Sequence, residues 1–159
     1  MSYKRILVPV DGSATSKAGL KEAIKLAGTP GARLRLLHVV DESPLLNMPE
    51  GGYVIDTVID DLKISGKALL ANAAKSVAAQ DVKCETAMLE SLGLRVADQI
   101  TADAKRWRAD LIVIGTHGRS GMKRLLMGSD AELVVRSTTV PVLLVHGPQE
   151  SKVQAKAKR

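Results

Sequence analysis

Three glycines near the C-terminus are spaced around a basic segment, directly after an apolar run at 111–114. The glycines, the basic residues between them and the serine that follows are Gly115, Gly118, Gly128, Arg119, Lys123, Arg124 and Ser129. Glycine lets backbone N–H groups approach a bulky anion where a Cβ would collide with it. The start of a helix adds unpaired N–H donors and a partial positive charge. The segment therefore predicts a polyphosphate cradle, and we expect its ligand to be a nucleotide.

A second candidate segment, Pro9-Val10-Asp11-Gly12-Ser13, follows the first apolar run. In open α/β sheets, ligands bind beyond the carboxyl ends of the strands, where the winding direction reverses. If the first and fourth strands are neighbours, this segment meets the glycine segment there, and Asp11 can accept hydrogen bonds from ribose hydroxyls. Helix capping is the alternative, because Asp11 and Ser13 both lie just ahead of a predicted helix at 14–27.

Ser129 has an alternative role as well. The spacing Ser129-x-x-Glu132 predicts a capping box, in which each side chain satisfies a backbone donor of the other residue. Capping and phosphate binding are compatible, because a capped helix start still presents N–H groups. For the glycines at 115 and 118 the alternative is a tight turn, and for the basic residues it is a solvated surface.

Other catalytic and binding patterns are absent from the sequence. There is no G-x-x-x-x-G-K-[ST] phosphate loop, and no G-x-G-x-x-G follows the first strand. His38, His117 and His146 have no carboxylate or cysteine at metal-ligand spacing, so no metal site is predicted. We expect His38 to be a hydrogen-bonded core residue, and His117 to contact a phosphate or face solvent. Cys84 is predicted to be a small core residue, and the absence of a nucleophile–base pair argues against an efficient hydrolase.

Composition predicts one domain with an aliphatic core. The chain has 159 residues, of which 45% are hydrophobic, yet it contains no Phe and one Trp. Such a core suits a sheet that is buried on both faces. The single cysteine rules out an intramolecular disulfide and suits a reducing compartment. With no signal peptide or transmembrane run apparent in the sequence, we expect a cytoplasmic protein.

The net charge of +6 is concentrated at the C-terminus, where residues 151–159 carry four basic and no acidic side chains. The remaining chain is close to balanced. We therefore expect a folded domain at 1–147 and a basic, disordered tail at 148–159. Contact between this tail and a nucleic acid or an anionic surface is the alternative, and it depends on the tail alone.

Short aliphatic runs alternate with helical periodicity along the domain. Strands are predicted at 6–10, 34–40, 82–89, 111–114 and 140–145, and helices at 14–27, from 54 towards 80, around 96–104 and at 131–136. This alternation predicts right-handed βαβ units and a mostly parallel sheet. The proline- and glycine-containing stretch 41–53 is predicted to be a loop, and it is a candidate lid.

Two of the predicted strands have the character of sheet edges. The strand at 82–89 alternates polar and apolar residues in its first half, and Val140-Pro-Val-Leu-Leu-Val145 has a proline near its start. The apolar remainder of this last strand would leave a sticky edge in a monomer. We therefore expect it to pair with its copy in a homodimer.

The spacing Gly115-x2-Gly118-x9-Gly128-Ser129 resembles the ATP-binding signature G-x2-G-x9-G-[ST] of universal stress proteins. Segments 4–13, 36–41 and 140–145 also resemble that family's first, second and last strands, so the similarity extends from residue 3 to about 147. The resemblance implies a single-domain α/β fold, an open parallel five-stranded sheet with helices on both faces and strand order 3-2-1-4-5. It also implies adenine-nucleotide binding and homodimers joined through the last strand.

By position in these segments, the resemblance implies nucleoside contacts from Pro9 and Asp11, and backbone contacts from Val39 to adenine. The whole candidate site consists of Pro9, Val10, Asp11, Val39, Ile114, Gly115, His117, Gly118, Arg119, Gly128, Ser129 and Asp130. The expected ligand is ATP, ADP or AMP with Mg²⁺. One departure from the family is Asp130-Ala131, where ATP-binding members can carry a small apolar residue and then a hydroxyl residue. The Asp130 carboxylate would repel a polyphosphate unless it points away or meets a divalent cation.

Three functions remain open at the level of sequence. The first is a nucleotide-binding stress-response or signalling protein, whose ligand state changes its dimer form or its choice of partner. The second is a slow ATPase or phosphotransferase, which would need a base or a metal at the γ-phosphate, with Asp130 or His117 as the candidates. The third is a dimeric interaction module whose site no longer binds nucleotide.

Overall fold

Five short strands form one sheet, and every pair of neighbouring strands is parallel. The computed structural model describes residues 2–47, 52–116 and 127–147. Its strands are β1 (Arg5–Pro9), β2 (Arg33–Val40), β3 (Lys83–Glu90), β4 (Leu111–Gly115) and β5 (Val142–Val145). Their order in the sheet is β3-β2-β1-β4-β5. The predicted fold class is confirmed, and the winding direction reverses between β1 and β4, where a ligand site is expected.

Helices cover both faces of the sheet. They are α1 (Ala14–Leu26), α2 (Gly52–Ala78), α3 (Val96–Trp107) and α4 (Ser129–Ser137), and a short 3₁₀ helix spans Ser43–Asn47. Helices α1 and α2 pack on one face, and α3 and α4 cover the other. Because consecutive side chains of a strand point to opposite faces, Ile6 and Val8 pack towards α1 and α2, while Leu7 packs towards α3. The aliphatic core is thus divided between the two layers.

The two strands predicted as edges do lie at the two edges of the sheet. Residues of β3 are half-buried or exposed along the strand, and Leu143 in β5 is 37% exposed. Strand β5 begins at Val142, two residues later than predicted, because Pro141 lacks an N–H and contributes only its carbonyl, which accepts from the Ile112 N–H at 2.9 Å. Pairing of β5 with a second copy stays a prediction.

The predicted loop at 41–53 is shorter than expected. The 3₁₀ helix occupies part of it, and α2 already begins at Gly52. Residues 48–51 of the candidate lid, and the predicted tail at 148–159, lie outside the described residues. In the part of the chain that the structure describes, no helix is both long enough and apolar enough to cross a membrane.

Candidate functional site

A cleft of about 380 Å³ opens at the carboxyl ends of β1, β2 and β4, between the β1–α1 turn and the start of α4. Nine of the twelve predicted site residues line it, namely Pro9, Val10, Asp11, Val39, Ile114, Gly115, Gly128, Ser129 and Asp130. The other three, His117, Gly118 and Arg119, lie outside the described residues, as do Lys123 and Arg124. Residues that are more than 100 positions apart in the sequence therefore meet around one cavity.

The β1–α1 turn is shaped by a chain of short-range hydrogen bonds. The Ser13 N–H donates to Asp11 Oδ1 at 2.8 Å, and the Ser16 N–H donates to Ser13 Oγ at 3.1 Å. The Ser16 hydroxyl in turn accepts from the Asp11 N–H at 3.2 Å. Gly12 has a φ of +83°, which a residue with a side chain adopts only at a cost. Helix capping is therefore performed by Ser13, while Asp11 fixes the turn and lines the cleft.

Gly115 ends β4 where the first turn of α1 crosses it. A Cβ on this residue would lie 2.6 Å from the carbonyl carbon of Thr15 and 2.9 Å from the backbone nitrogen of Ser16. Glycine at this position is thus required by the close packing of a helix on a strand. A ligand or a tight turn is not needed to explain it, and the packing brings the start of α1 to the edge of the cleft.

The two described ends of the glycine segment are tied together. The Gly128 N–H donates to the carbonyl of Thr116, and the Thr116 N–H donates to the carbonyl of Val145 at 3.0 Å. Thr116 and Gly128, which lie on either side of the segment outside the described residues, are therefore close together and both line the cleft.

The predicted capping box at Ser129 and Glu132 is wrong. The N-cap of α4 is Gly128, Ser129 is the first helical residue, and Glu132 forms an ion pair with Arg136 at 2.9 Å. The hydrogen bond between Gly128 and Thr116 fixes the helix start one residue earlier than the side-chain pattern indicates. Because glycine has no side chain to offer, the first-turn N–H groups of α4 receive no hydrogen bond from the N-cap side chain. These N–H groups lie at the cleft, where an anion can accept from them.

Two other carboxylates of the cleft act on Asp130. Asp130 lies in the first turn of α4 and is exposed at the cleft mouth. Neighbouring atoms nevertheless shield part of its carboxyl from water, and this desolvation raises its pKa above the usual 3.8. The negative charges of Asp41 and Asp11 raise the pKa further. The predicted departure at Asp130 thus places a negative charge at the edge of the cavity. Within the described residues, no three His, Cys, Asp or Glu side chains are placed to hold a metal ion.

Several other residues also line the cleft that are not among the predicted site residues, including His38, Leu62, Ser65, Ile100 and Thr116. His38 was predicted to be a hydrogen-bonded core residue, and this is confirmed: it is 8% exposed and its Nδ1 lies 2.8 Å from the Val10 carbonyl oxygen. Because a carbonyl only accepts, Nδ1 carries the proton. A Cβ on Gly66 of α2 would lie 2.6 Å from His38 Cδ2, so α2 packs directly on this ring. His38 therefore joins the ends of β1 and β2 to α2.

Comparison with known proteins agrees with this architecture. The family model described as the universal stress protein family matches residues 2–146. The chain belongs to this family. Its relatives include Universal stress protein MJ0531 of Methanocaldococcus jannaschii, which is 38% identical over 149 residues and is matched over 93% of this chain and 85% of the relative.

Solved structures of related proteins share the fold of this universal stress protein. Protein MJ0577 of the same archaeon superimposes with a TM-score of 0.84 at 26% identity, covering 94% of this chain and 99% of that protein. A universal stress protein of Archaeoglobus fulgidus, solved in complex with dAMP, superimposes with a TM-score of 0.68 at 25% identity. The match covers 91% of this chain and 99% of the Archaeoglobus protein.

Proposed function

We propose that this universal stress protein binds an adenine nucleotide in the cleft between the β1–α1 turn and the start of α4. The main observation behind the proposal is that Asp11 and the helix start at Gly128 line the same cleft. This cleft lies where the winding direction of the sheet reverses, between β1 and β4. This arrangement offers a carboxylate for a sugar and the N–H groups of a helix start for a phosphate within one cavity. The dAMP complex of the Archaeoglobus relative supports an adenine nucleotide as the ligand class.

The nucleoside end of the cleft is formed by β1 and β2. Asp11 accepts hydrogen bonds from ribose hydroxyls in this proposal, and Val39 offers backbone atoms to the base. Leu37 and Ile100 line the cleft and are both buried, so they supply apolar contact for a planar ring.

At the phosphate end, attraction and repulsion act together. The N–H groups of α4 attract an anion, and the Ser129 hydroxyl is exposed beside them. The carboxylate of Asp130 repels the same anion, and this repulsion grows with the number of phosphate charges. We therefore propose that AMP and ADP bind without a metal, whereas ATP binds with Mg²⁺ to offset its additional charge.

The biological role follows from binding without turnover. In this proposal the nucleotide changes the dimer form or the choice of partner in a stress response or a signalling pathway, and strand β5 forms the dimer. Because β5 bonds to β4, and β4 ends at the cleft, the ligand and the dimer edge lie on adjacent strands. Comparison of the sedimentation mass with and without nucleotide tests this part separately.

Calorimetric titration of the full chain with AMP, ADP and Mg²⁺–ATP tests the binding itself. Micromolar affinity near one nucleotide per chain is the expected result. Gly128→Val should abolish binding without unfolding the protein, since its φ of −59° and ψ of 150° suit any residue while the branched side chain would fill the phosphate position. No heat up to millimolar nucleotide would refute the proposal and leave a dimeric interaction module with an unused cleft.

A further inference from the structure

A second cavity lies between α1 and α2, next to the cleft described above, and has a volume of about 570 Å³. Helix α1 packs on β1, β4 and β5, whereas α2 packs on β2 and β3, and the cavity occupies the space between the two helices. Its floor is apolar, because Leu20 and Ala73 are buried there and Ile24 and Leu69 are partly buried. We call this cavity the helix groove.

The two rims of the helix groove share one spacing but differ in charge. Residues that are four positions apart lie along one edge of a helix. The α1 rim and the α2 rim are formed respectively by Lys17, Lys21 and Lys25 and by Asn72, Ser76 and Gln80. The α1 rim extends along about 12 Å of helix axis. On the other side, Asn72 and Ser76 lie in α2, and Gln80 lies in the turn that follows its end at Ala78. The groove thus combines an apolar floor with one cationic edge and one neutral polar edge.

Two of the three lysines are available to a partner. Lys25 Nζ forms a salt bridge with Glu22 Oε1 at 2.6 Å. Lys17 and Lys21 are exposed, and neither forms a salt bridge within the described part of the chain. The positive charges of Lys17 and Lys21 therefore lie beside an apolar surface, and no acidic side chain of the described residues is paired with them.

We propose that the helix groove docks an amphipathic helix from a partner protein. Its apolar stripe would cover the floor, and acidic residues along one flank would face Lys17 and Lys21. The charge pattern selects this partner, because the lysines spread positive charge along the groove and so match a ligand with acidic groups at regular intervals. An acyl chain with one anionic head carries its charge at one end only.

The test uses a synthetic peptide of about 16 residues, with leucines at helical spacing on one face and glutamates along one flank. Fluorescence anisotropy of the labelled peptide with the full chain should report micromolar binding. Lys17→Glu combined with Lys21→Glu should weaken this binding by roughly tenfold at low salt, because two attractive charges become repulsive. Ser76→Trp, at an exposed rim position, should abolish binding by filling the groove.

Lys75→Glu provides the matched control, because Lys75 is exposed on α2 but does not line the groove. This variant should change affinity by less than about twofold, as surface charges away from an interface usually do. Circular dichroism melting of every variant verifies the fold.

Peptide that does not bind, or that binds equally to the double lysine variant and to Ser76→Trp, would overturn the proposal. It would also be overturned if palmitate binds in the groove and the peptide does not. The same holds if the peptide does not bind and Ser76→Trp abolishes self-association of the chain. Those results would assign the groove to an anionic amphiphile or to a second copy.

Discussion

Replacement of Asp130 by asparagine tests whether this carboxylate limits nucleotide affinity. Asp130 lies in the first turn of α4, and a phosphate held by the N–H groups of that turn would lie within about 6 Å of it, roughly one helical turn. Because the side chain is exposed, we use an effective dielectric constant near 40, between the surface value and that of water. Removing one repulsion at that distance gains about 1 kcal/mol, or roughly fivefold in Kd for AMP.

Calorimetry of wild type and Asp130→Asn with AMP and with ATP measures this gain. We expect a larger effect for metal-free ATP, which carries more charge, and a smaller one when Mg²⁺ is present. Glu132→Gln is the matched control, because Glu132 occupies the same first turn, is paired with Arg136 and does not line the cleft. Equal affinities for wild type and Asp130→Asn, with binding still abolished by Gly128→Val, would refute the repulsion argument.

The pH dependence provides an independent check on the same residue. The pKa of Asp130 is raised in the folded protein, so the folded state holds this proton more tightly than the unfolded chain does. Ionised Asp130 therefore costs folding stability at neutral pH, and the cost disappears as the pH falls through the raised pKa towards 3.8. Asp130→Asn should increase the free energy of unfolding at pH 7 and have little effect near pH 3.8, as measured by urea titration at both pH values.

Three further predictions concern the fold and the dimer. Gly115→Ala should lower the free energy of unfolding in urea by about 2–3 kcal/mol, because its Cβ would meet the backbone of Thr15; a cost below about 0.5 kcal/mol would contradict this packing. Asp103→Leu should lower the free energy of unfolding by about 3 kcal/mol, because fully buried Asp103 accepts two hydrogen bonds from Arg35, at 2.8 and 3.1 Å. Adding Arg35→Met should recover part of this stability, because the unpaired guanidinium is removed as well. A double variant no more stable than Asp103→Leu would argue against the importance of the ion pair. Leu143→Lys should shift the sedimentation mass from two chains to one by blocking the β5 edge, whereas an unchanged dimer mass would place the dimer contact elsewhere.

The strands and helices follow closely from the sequence pattern, because apolar runs and helical periodicity are local signals. The strand order is not local: composition and alternation predict a parallel sheet, and only the resemblance to the family supplied the order 3-2-1-4-5. The start of α4 shows the limit of local signals. Ser129 and Glu132 match a capping box, yet Gly128 becomes the N-cap because its N–H is held by Thr116. A tertiary hydrogen bond of that kind leaves no trace in residue spacing.

The cleft shows a similar division between local and tertiary information. Asp11, which follows the first strand, was identified because the carboxyl ends of parallel strands share one edge. Val39 was identified only through the resemblance to the family. Leu62 and Ser65 were not predicted to line the cleft, because the rotation of α2 about its axis decides which of its residues face the cleft. Close packing between Gly66 and the His38 ring fixes that rotation. A glycine within a helix, such as Gly66, does not by itself indicate close packing, because the sequence does not show which residue packs against it.

The nucleotide cleft and the helix groove share part of one wall. Val10 and Ser16 line both cavities, and Ser16 Oγ accepts from the Asp11 N–H. A nucleotide bound to Asp11, as proposed, would therefore contact a residue that is hydrogen-bonded to the lining of the groove. If occupation of the cleft changes the affinity of the groove for a partner helix, the partner must change nucleotide affinity by the same factor. The β1–α1 turn lies between the two cavities, and we expect any coupling between the two proposed ligands to act through it.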